Sequence, residues 1–193
     1  MKRIIFILII ILIASSIAYA DESAEYIYKK AMKFYMIKKF EYALIEFDKM
    51  IQVYPENELT HKAVFFKGVS LFYLCKNNND SALSEVEEIF KDYIRKYPDK
   101  EYFPSSVKWV GDIYYLTGDY ETAVEKYLDS LEKYPLLEVN DMIMYNLAKC
   151  REKQEKYVLA KTILERILEK YPETDLKKQI EFDLNRLNTI LDK

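Results

Sequence analysis

Four Tyr-Pro dipeptides divide this chain into segments of similar length, and their spacing constrains the fold more than any other feature. They are Tyr54-Pro55, Tyr97-Pro98, Tyr134-Pro135 and Tyr171-Pro172, at intervals of 43, 37 and 37 residues, and Pro104 is the only other proline. Self-similarity at a period of roughly 20–50 residues is typical of stacked helical hairpins, each of which buries its apolar face against its neighbours. Because proline cannot continue a helix, each Tyr-Pro is expected at the end of a hairpin's second helix.

Alignment on Tyr-Pro brings small and large residues into register. The first helix of each unit carries a small residue, at Ala31, Gly68, Gly111 and Ala148. The second helix opens on an aromatic residue or leucine and then carries a slender and a large residue, at Phe40, Ala43 and Phe47, at Leu83, Val86 and Phe90, at Tyr120, Ala123 and Tyr127, and at Tyr157, Ala160 and Leu164. Small residues let two helices approach closely, and large residues fill the space beside the contact. The fourth unit departs from this pattern, since Arg151 occupies the place of an aromatic such as Phe34 or Tyr114.

The pattern resembles the tetratricopeptide repeat (TPR), and the third unit matches it best, from Trp109 through the turn at Gly118 to Tyr134-Pro135. The resemblance implies an all-α solenoid of about four helical hairpins with a C-terminal capping helix. The repeats are expected at about 22–55, 58–98, 102–135 and 139–172, and the cap at 173–193. Units longer than the usual period of about 34 residues resemble those of bacterial periplasmic and outer-membrane-assembly TPR proteins. The six extra residues in the second unit predict a widened loop around 75–80.

The first 20 residues have the pattern of a secretory signal peptide. Lys2 and Arg3 precede an apolar stretch over 4–17, and Ala18-Tyr19-Ala20 has the small-x-small form of a cleavage site. Fourteen helical residues rise only about 21 Å, short of the hydrocarbon core of about 30 Å. We therefore expect cleavage after Ala20, a TPR domain over 21–193, and a periplasmic or otherwise exported protein without stable membrane insertion. The alternative is an uncleaved anchor. No cysteine precedes Cys75, so no lipidation cysteine is available.

Composition argues against nucleic-acid binding and against catalysis. The formal net charge is −3 and there is no basic tract, which disfavours a nucleic-acid partner. The single histidine, His61, belongs to no metal-ligand, nucleotide-binding or nucleophile motif. We therefore predict no enzyme, no cofactor, no metal site and no catalytic residue. Cys75 and Cys150 lie two repeats apart, too distant for a bridge, and are expected to be separate thiols, with Cys150 buried.

The TPR resemblance implies that the first helices line a concave surface, where aromatic and methionine side chains exceed what packing requires. The predicted partner-binding residues are Tyr28, Met32, Tyr35, Met36, Phe65, Val69, Phe72, Tyr73, Tyr115 and Tyr145. We expect Tyr35, Phe65, Phe72 and Tyr73 to be partly exposed there. Exposed apolar surfaces of this kind capture protein segments.

Two functions are consistent with such a surface. The first is an exported adaptor or scaffold that binds a segment of another cell-envelope protein in the concave aromatic groove. The alternative is a self-assembling structural component of an envelope complex, in which case the chain forms a homo-oligomer. The last helix bears on this choice, because its apolar residues serve either as a cap over the fourth repeat or as a dimerisation seam.

Overall fold

A computed structural model describes residues 22–75 and 80–192, and within these ranges the chain forms nine α-helices and no strand. The helices are α1 Ala24–Met36, α2 Phe40–Val53, α3 Thr60–Cys75, α4 Asp80–Lys96, α5 Phe103–Thr117, α6 Tyr120–Lys133, α7 Asn140–Lys153, α8 Tyr157–Lys170 and α9 Lys177–Leu191. The predicted all-α class is confirmed. The predicted signal peptide and residues 76–79 of the predicted loop lie outside the described residues.

Each Tyr-Pro follows the second helix of a hairpin, as predicted. The helices α2, α4, α6 and α8 end one residue before the tyrosine. The tyrosine N–H still donates to the carbonyl four residues earlier, with distances of 2.9 Å for Tyr134 to Ser130 and 2.7 Å for Tyr171 to Ile167. At Tyr134 the backbone then turns to φ −129° and ψ 64°, which leaves the helical region. The proline that follows makes this exit obligatory.

Hairpins are joined by short turns that side chains close. The hydroxyl of Thr60, the first residue of α3, donates to the carbonyl of Tyr54 at 2.5 Å. The side-chain amide of Asn140, the first residue of α7, donates to the carbonyl of Tyr134 at 2.8 Å. Both residues lie six positions after the tyrosine. They therefore satisfy a carbonyl at the helix end that the helix itself leaves without a partner.

Within three hairpins the turn places one residue in the left-handed region. Gly118 between α5 and α6 has φ 89°, and Lys38 and Glu155 occupy the same repeat position with φ 58° and 60°. After Gly118 the carboxylate of Asp119 caps α6 by accepting from the N–H of Thr122 at 3.1 Å. Only the third hairpin therefore has glycine where this conformation carries no steric cost.

The chain divides into two compact units, residues 1–67 and 68–193. In the first unit, α1 and α2 pack around Ala31, Ala43 and Phe47, all fully buried. The second unit contains the end of α3 and the helices α4 to α9. Its core repeats the same small and large pairing, and the repeat residues there are likewise buried. The register predicted from the sequence is therefore confirmed in both units.

Gly111 and Tyr127 pack very closely in the second unit. A Cβ placed on Gly111 of α5 would lie 2.3 Å from ring carbons of Tyr127 on α6. Only glycine permits this contact, because real Cβ atoms do not approach carbon so closely. The Tyr127 hydroxyl donates to the carboxylate of Asp112 at 2.6 Å. Burial of the ring, followed by this carboxylate, raises the pKa of Tyr127, so the phenol stays protonated.

Candidate functional site

Four of the predicted binding residues lie on α1 in the first unit. Tyr28, Met32 and Tyr35 are half-buried and pack against the core of this unit, while Met36 at the end of α1 is 76% exposed. The rings of Tyr35 and Phe66 meet edge to face with centroids 5.0 Å apart. A cavity of about 520 Å³ borders Tyr28, together with the start of α1 and the turn after α2. Polar and apolar surface contribute almost equally to its lining.

The four predicted residues of α3 are mostly buried. Phe65, Val69 and Phe72 are 6%, 3% and 0% exposed, whereas Tyr73 is 40% exposed. The expected exposure of Phe65 and Phe72 is therefore wrong. Phe72 shows the reason, because its ring packs edge to face against Trp109 of α5, with centroids 5.2 Å apart. The next hairpin thus covers a face that looks surplus when one hairpin is considered alone.

Tyr115 on α5 and Tyr145 on α7 complete the predicted set, and both are half-buried. Tyr115 packs against the core of the second unit. The hydroxyl of Tyr145 donates to the carboxylate of Asp183 on α9 at 2.8 Å. The first helices of these repeats are therefore linked by polar contacts instead of lining an open aromatic groove.

A polar ladder connects α5 to α7 through Asp112, which is 5% exposed. Asp112 forms an ion pair with Lys108, one turn earlier on α5. It also accepts from the side-chain amide of Asn146 on α7 at 2.9 Å and from Tyr127. Three donors from three helices compensate for burial of this carboxylate. This cluster was not predicted from the sequence.

The same ladder continues from α7 to α9. Lys149 lies 2.9 Å from Glu152 and 3.5 Å from Asp183, and Arg186 lies 2.6 Å from Glu152 and 3.0 Å from Asp183. Burial opposes ionisation of Asp183, but hydrogen bonds from Tyr145 and Arg186 outweigh it and hold the pKa below its ordinary value. The charges of this ladder are therefore paired with one another.

A groove opens on another surface of the second unit, between the second helices α6 and α8 and above α7. Its volume is about 450 Å³, within the usual range of ligand clefts of roughly 300–1,000 Å³. The apolar lining consists of Leu128, Leu131, Met144, Leu147, Leu159 and Ile163. Met144 and Leu147 form the buried floor, at 7% and 5% exposed, whereas Leu128 and Leu159 on the walls are 48% and 50% exposed. We call this feature the α6–α8 groove.

Cations dominate the polar lining of the α6–α8 groove. Arg151 on α7 and Arg166 and Lys170 on α8 line it, against the single acidic residue Glu132 on α6. Arg151 is half-buried and donates to the side-chain carbonyl of Gln154 at 3.0 Å. Arg166 and Lys170 are exposed. A ligand that suits this groove is therefore apolar along its length and carries carboxylates.

One of the residues that line the groove, Arg151, is the departure visible in the sequence. One repeat earlier, the aromatic Tyr114 of α5 occupies the corresponding position. Its hydroxyl donates to the carboxylate of Glu87 on α4 at 2.5 Å. Lys126 joins this cluster, 2.9 Å from Glu87 and 5.7 Å from the centroid of the Tyr114 ring. Burial opposes ionisation of Glu87, but hydrogen bonds from Tyr114, Lys126 and Lys91 outweigh it and lower the pKa. At this repeat position the third repeat therefore has an aromatic ring bonded to Glu87, and the fourth has a guanidinium group that lines the groove.

The described parts of the chain offer few groups for chemistry. Within them no group of three or more His, Cys, Asp or Glu is arranged to hold a metal ion. Cys75 and Cys150 are both free thiols and both buried, and burial of Cys150 was predicted. Burial raises the pKa of the Cys150 thiol to about 12, which leaves the reactive thiolate scarce at neutral pH.

Among the described helices, α1 to α9, none is both long enough and apolar enough to cross a membrane.

Comparison with known proteins agrees with this geometry. The fold defines a class, the α-helical repeat proteins built from stacked hairpins. Within that class, residues 109–136 and 143–174 match the tetratricopeptide repeat family. These two segments therefore have the sequence of tetratricopeptide repeats. The matched residues include most of the α6–α8 groove. No curated protein matches the chain in sequence.

Solved structures show the same fold at low sequence identity. A tetratricopeptide repeat protein from Parabacteroides merdae is 15% identical with a TM-score of 0.61, and the match covers 88% of this chain but 61% of that one. The MamA RS-1 ArsTM double mutant is 13% identical with a TM-score of 0.59, over 90% of this chain and 87% of that one. The apo form of RapI is 16% identical with a TM-score of 0.59, over 92% and 74%. This chain therefore spans less than two thirds of the first of these structures.

Proposed function

We propose that the protein is an exported scaffold whose α6–α8 groove binds an apolar, acidic segment of another polypeptide chain. The observation that supports this most strongly is the open, apolar groove with a cationic lining. TPR proteins act through contacts with other proteins, and nothing in this chain's motifs points to catalysis. An apolar floor with exposed leucines on both walls suits a helix or an extended segment laid along it. Arg151, Arg166 and Lys170 supply charge complementarity for carboxylates.

This proposal moves the binding surface away from the aromatic residues of the first helices. Phe65, Val69 and Phe72 are largely buried, and Tyr145 is held by Asp183. A residue that already has packing partners contributes less to binding than one that gains burial on association. Leu128 and Leu159 have that potential, because about half of each is still exposed.

Export is the second part of the proposal, and it rests on the first 20 residues. A basic start, a short apolar stretch and a small-x-small site direct secretion and cleavage. The partner would then belong to the cell envelope or be a second copy of this protein. N-terminal sequencing of the protein isolated from the envelope fraction tests this, and the expected first residue is Asp21. A protein that retains Met1 contradicts cleavage.

Binding by the groove can be tested with a displayed library of random 16-residue peptides and sparsely immobilised protein. We expect the selected peptides to be apolar and rich in Asp and Glu. Leu159→Arg should weaken their binding by about 2 kcal/mol, roughly thirtyfold. The matched control is Val158→Arg, because Val158 is the neighbouring residue, is more exposed at 64%, and does not line the groove. Equal loss in both variants, or no loss in either, contradicts binding in the groove.

A further inference from the structure

We propose that the protein dimerises through the uncovered side of its first hairpin, and that the partner is a second copy of this chain. We call this surface the N-terminal face. It consists of Tyr26, Lys30 and Lys33 on α1, Ile37 at the end of α1, and Tyr42 and Glu46 on α2. This surface is separate from the α6–α8 groove, so either can be disproved without the other.

The later repeats show that this side of a hairpin is normally covered. On α7 the positions of Tyr26 and Lys33 are held by Ile143 and Cys150, which are both 0% exposed. These two residues share a core cluster with residues of the preceding helices α5 and α6. The equivalent residues of α9 are likewise buried against α7 and α8. Within residues 22–75 and 80–192 no hairpin precedes α1, so its stripe remains uncovered.

The N-terminal face is apolar for a surface that ends a stack. Tyr26, Ile37 and Tyr42 are 54%, 54% and 55% exposed. At the other end of the repeats, α9 presents the exposed polar residues Glu181 and Asn185 on the side away from its buried residues. A terminal repeat that is fully capped has a polar outer face of this kind. The contrast favours pairing of two N-terminal faces over pairing of one end with the other.

The chain's own leader does not suit this face. Cleavage after Ala20 leaves only Asp21 ahead of the described residues, so the mature protein keeps no segment there. Before cleavage, the leader carries Lys2 and Arg3 and no acidic residue. These cations would add positive charge next to Lys33. A second molecule is therefore the better cover.

A two-fold axis parallel to the two helices brings complementary residues together. Lys30 lies 2.8 Å from Glu46, and the rings of Phe34 and Tyr42 have centroids 5.4 Å apart, which fixes the levels of α1 and α2. Rotation about this axis keeps each residue at its own level and places α1 of one copy over α2 of the other. Because α1 and α2 run in opposite directions, the two facing helices are antiparallel. Ile37 of one copy then lies within about one helical turn of Tyr42 of the other, twice.

The charges of the face favour this arrangement. Lys33 is exposed and enters no ion pair among the described residues. Glu46 pairs with Lys30 through Oε1, whereas its Oε2 is buried and has no hydrogen-bond partner in the same part of the chain. The proposed axis brings Lys33 of one copy within about one turn of Glu46 of the other. An axis running across the helices would instead place α1 over α1 and Lys33 near Lys30, which is a like-charge contact.

The size of the face sets the strength of the dimer. The helices α1 and α2 have 13 and 14 residues, about 20 Å each, and neighbouring helices lie about 10 Å apart. The face is therefore roughly 20 Å wide in each direction, smaller than a standard interface of about 800 Å² per partner. We expect a weak, reversible dimer.

The test is sedimentation equilibrium of the purified protein over a wide concentration range. The wild type should form dimers and no larger species. Ile37→Lys and Tyr42→Glu should each raise the dimer dissociation constant at least about tenfold, because each places a charge in an apolar contact that occurs twice. An equimolar mixture of the two variants should regain association. In that heterodimer the introduced ammonium faces the introduced carboxylate, and the second contact keeps its native pair.

Met36→Lys is the matched control, since Met36 is the neighbour of Ile37, is more exposed at 76%, and lies on another side of α1. It should leave the dimer unchanged, as should Leu159→Arg in the groove. Circular dichroism should show similar melting for all variants. The Ile37→Lys protein should still bind the selected peptides, so loss of the dimer leaves the proposed function standing.

Four results overturn the inference. They are a wild type that stays monomeric, single variants that associate like the wild type, a mixture that does not regain association, and assemblies that grow beyond the dimer. The last result would show that the N-terminal face meets the other end of a second copy, because such head-to-tail contacts do not close.

Discussion

The third and fourth hairpins place different residues at the same repeat positions, and the difference separates packing from binding. In the third hairpin, the large ring of Tyr127 packs directly against Gly111, and the hydroxyl of Tyr114 donates to Glu87 of α4. In the fourth, Ala148 meets the smaller Leu164, and Arg151 replaces the tyrosine. The same repeat position therefore carries an aromatic ring bonded to Glu87 in one repeat and a cation that lines the α6–α8 groove in the next.

This comparison indicates how a repeat protein gains a site without changing its fold. The small and large pair that holds two helices together is kept in both hairpins. The position that changes lies at the edge of the contact, where the aromatic ring of one repeat is exchanged for a guanidinium group. Packing density at the pair determines stability, and the edge residue determines what the surface can bind.

The largest effect is expected at the contact between Gly111 and Tyr127. Gly111→Ala should lower the free energy of unfolding by about 3 kcal/mol, because the added Cβ would lie 2.3 Å from the ring and must displace it. Urea denaturation measures this. Gly68→Ala is the control at the same repeat position. Its nearest neighbours are the side-chain tips of Ile89 and Phe90 at 3.0 Å, so it should cost about 1 kcal/mol.

A double-mutant cycle sharpens that prediction. Tyr127→Leu combined with Gly111→Ala gives the third hairpin the pair that the fourth already uses. The two changes should be coupled by more than about 1 kcal/mol, since the smaller side chain makes room for the methyl group. If the losses of unfolding free energy in the two single variants simply add in the double variant, the ring does not pack against Gly111.

The next effect concerns the edge residue of the fourth hairpin. Arg151→Tyr restores the residue type found at Tyr114 and should fill the α6–α8 groove. Binding of the selected acidic peptides should fall about thirtyfold, with little change in melting temperature. Arg151→Gln removes the charge but leaves the space open, so it should weaken binding less. Binding that survives Arg151→Tyr unchanged would show that the groove is not the site.

A third prediction concerns the cluster that closes the third hairpin. Tyr114→Phe removes a hydrogen bond to the charged Glu87 and should cost about 1.5 kcal/mol at pH 7. The pKa of Glu87 is lowered in the folded protein. Its stabilising contribution is therefore complete above the unfolded pKa of about 4.3 and is lost as pH falls through the folded pKa. The difference between wild type and variant should shrink in acid, and equal differences at pH 7 and pH 3 would contradict this account.

Sequence reasoning predicted the elements of the fold that depend on local chemistry. Helix ends at Tyr-Pro follow from the missing N–H of proline, and the small and large pair follows from aligning the repeats. Exposure was harder to predict. Phe72 lies one turn after Gly68 on α3, and Trp109, 37 residues later, covers it. Which side of a helix the next hairpin buries is a property of the stack, and helical periodicity alone does not provide it.

The sequence carries one signal of the groove, which is the unusual residue at position 151. Arg151 breaks a repeat position otherwise held by Phe34, Leu71 and Tyr114. A departure of this kind identifies a position under different constraints. The polar ladder of Asp112, Lys149 and Asp183 had no comparable signal. Its contacts from α5 to α7 and from α7 to α9 join residues more than 30 positions apart, and charged residues are common on helix surfaces.

The smallest effect concerns the turns inside the two hairpins. Gly118 adopts φ 89°, whereas Glu155 adopts φ 60° at the same repeat position. A side chain in the left-handed region costs about 1–2 kcal/mol, and the greater freedom of glycine in the unfolded chain offsets part of that cost. Glu155→Gly should therefore stabilise the protein by about 0.5 kcal/mol, and Gly118→Ala should destabilise it by about 1 kcal/mol. No heavy atom lies near the added Cβ at Gly118, so the loss would report backbone strain alone. Thermal melting of both variants measures this, and a Glu155→Gly protein that melts below the wild type would show that the fourth turn carries no such strain.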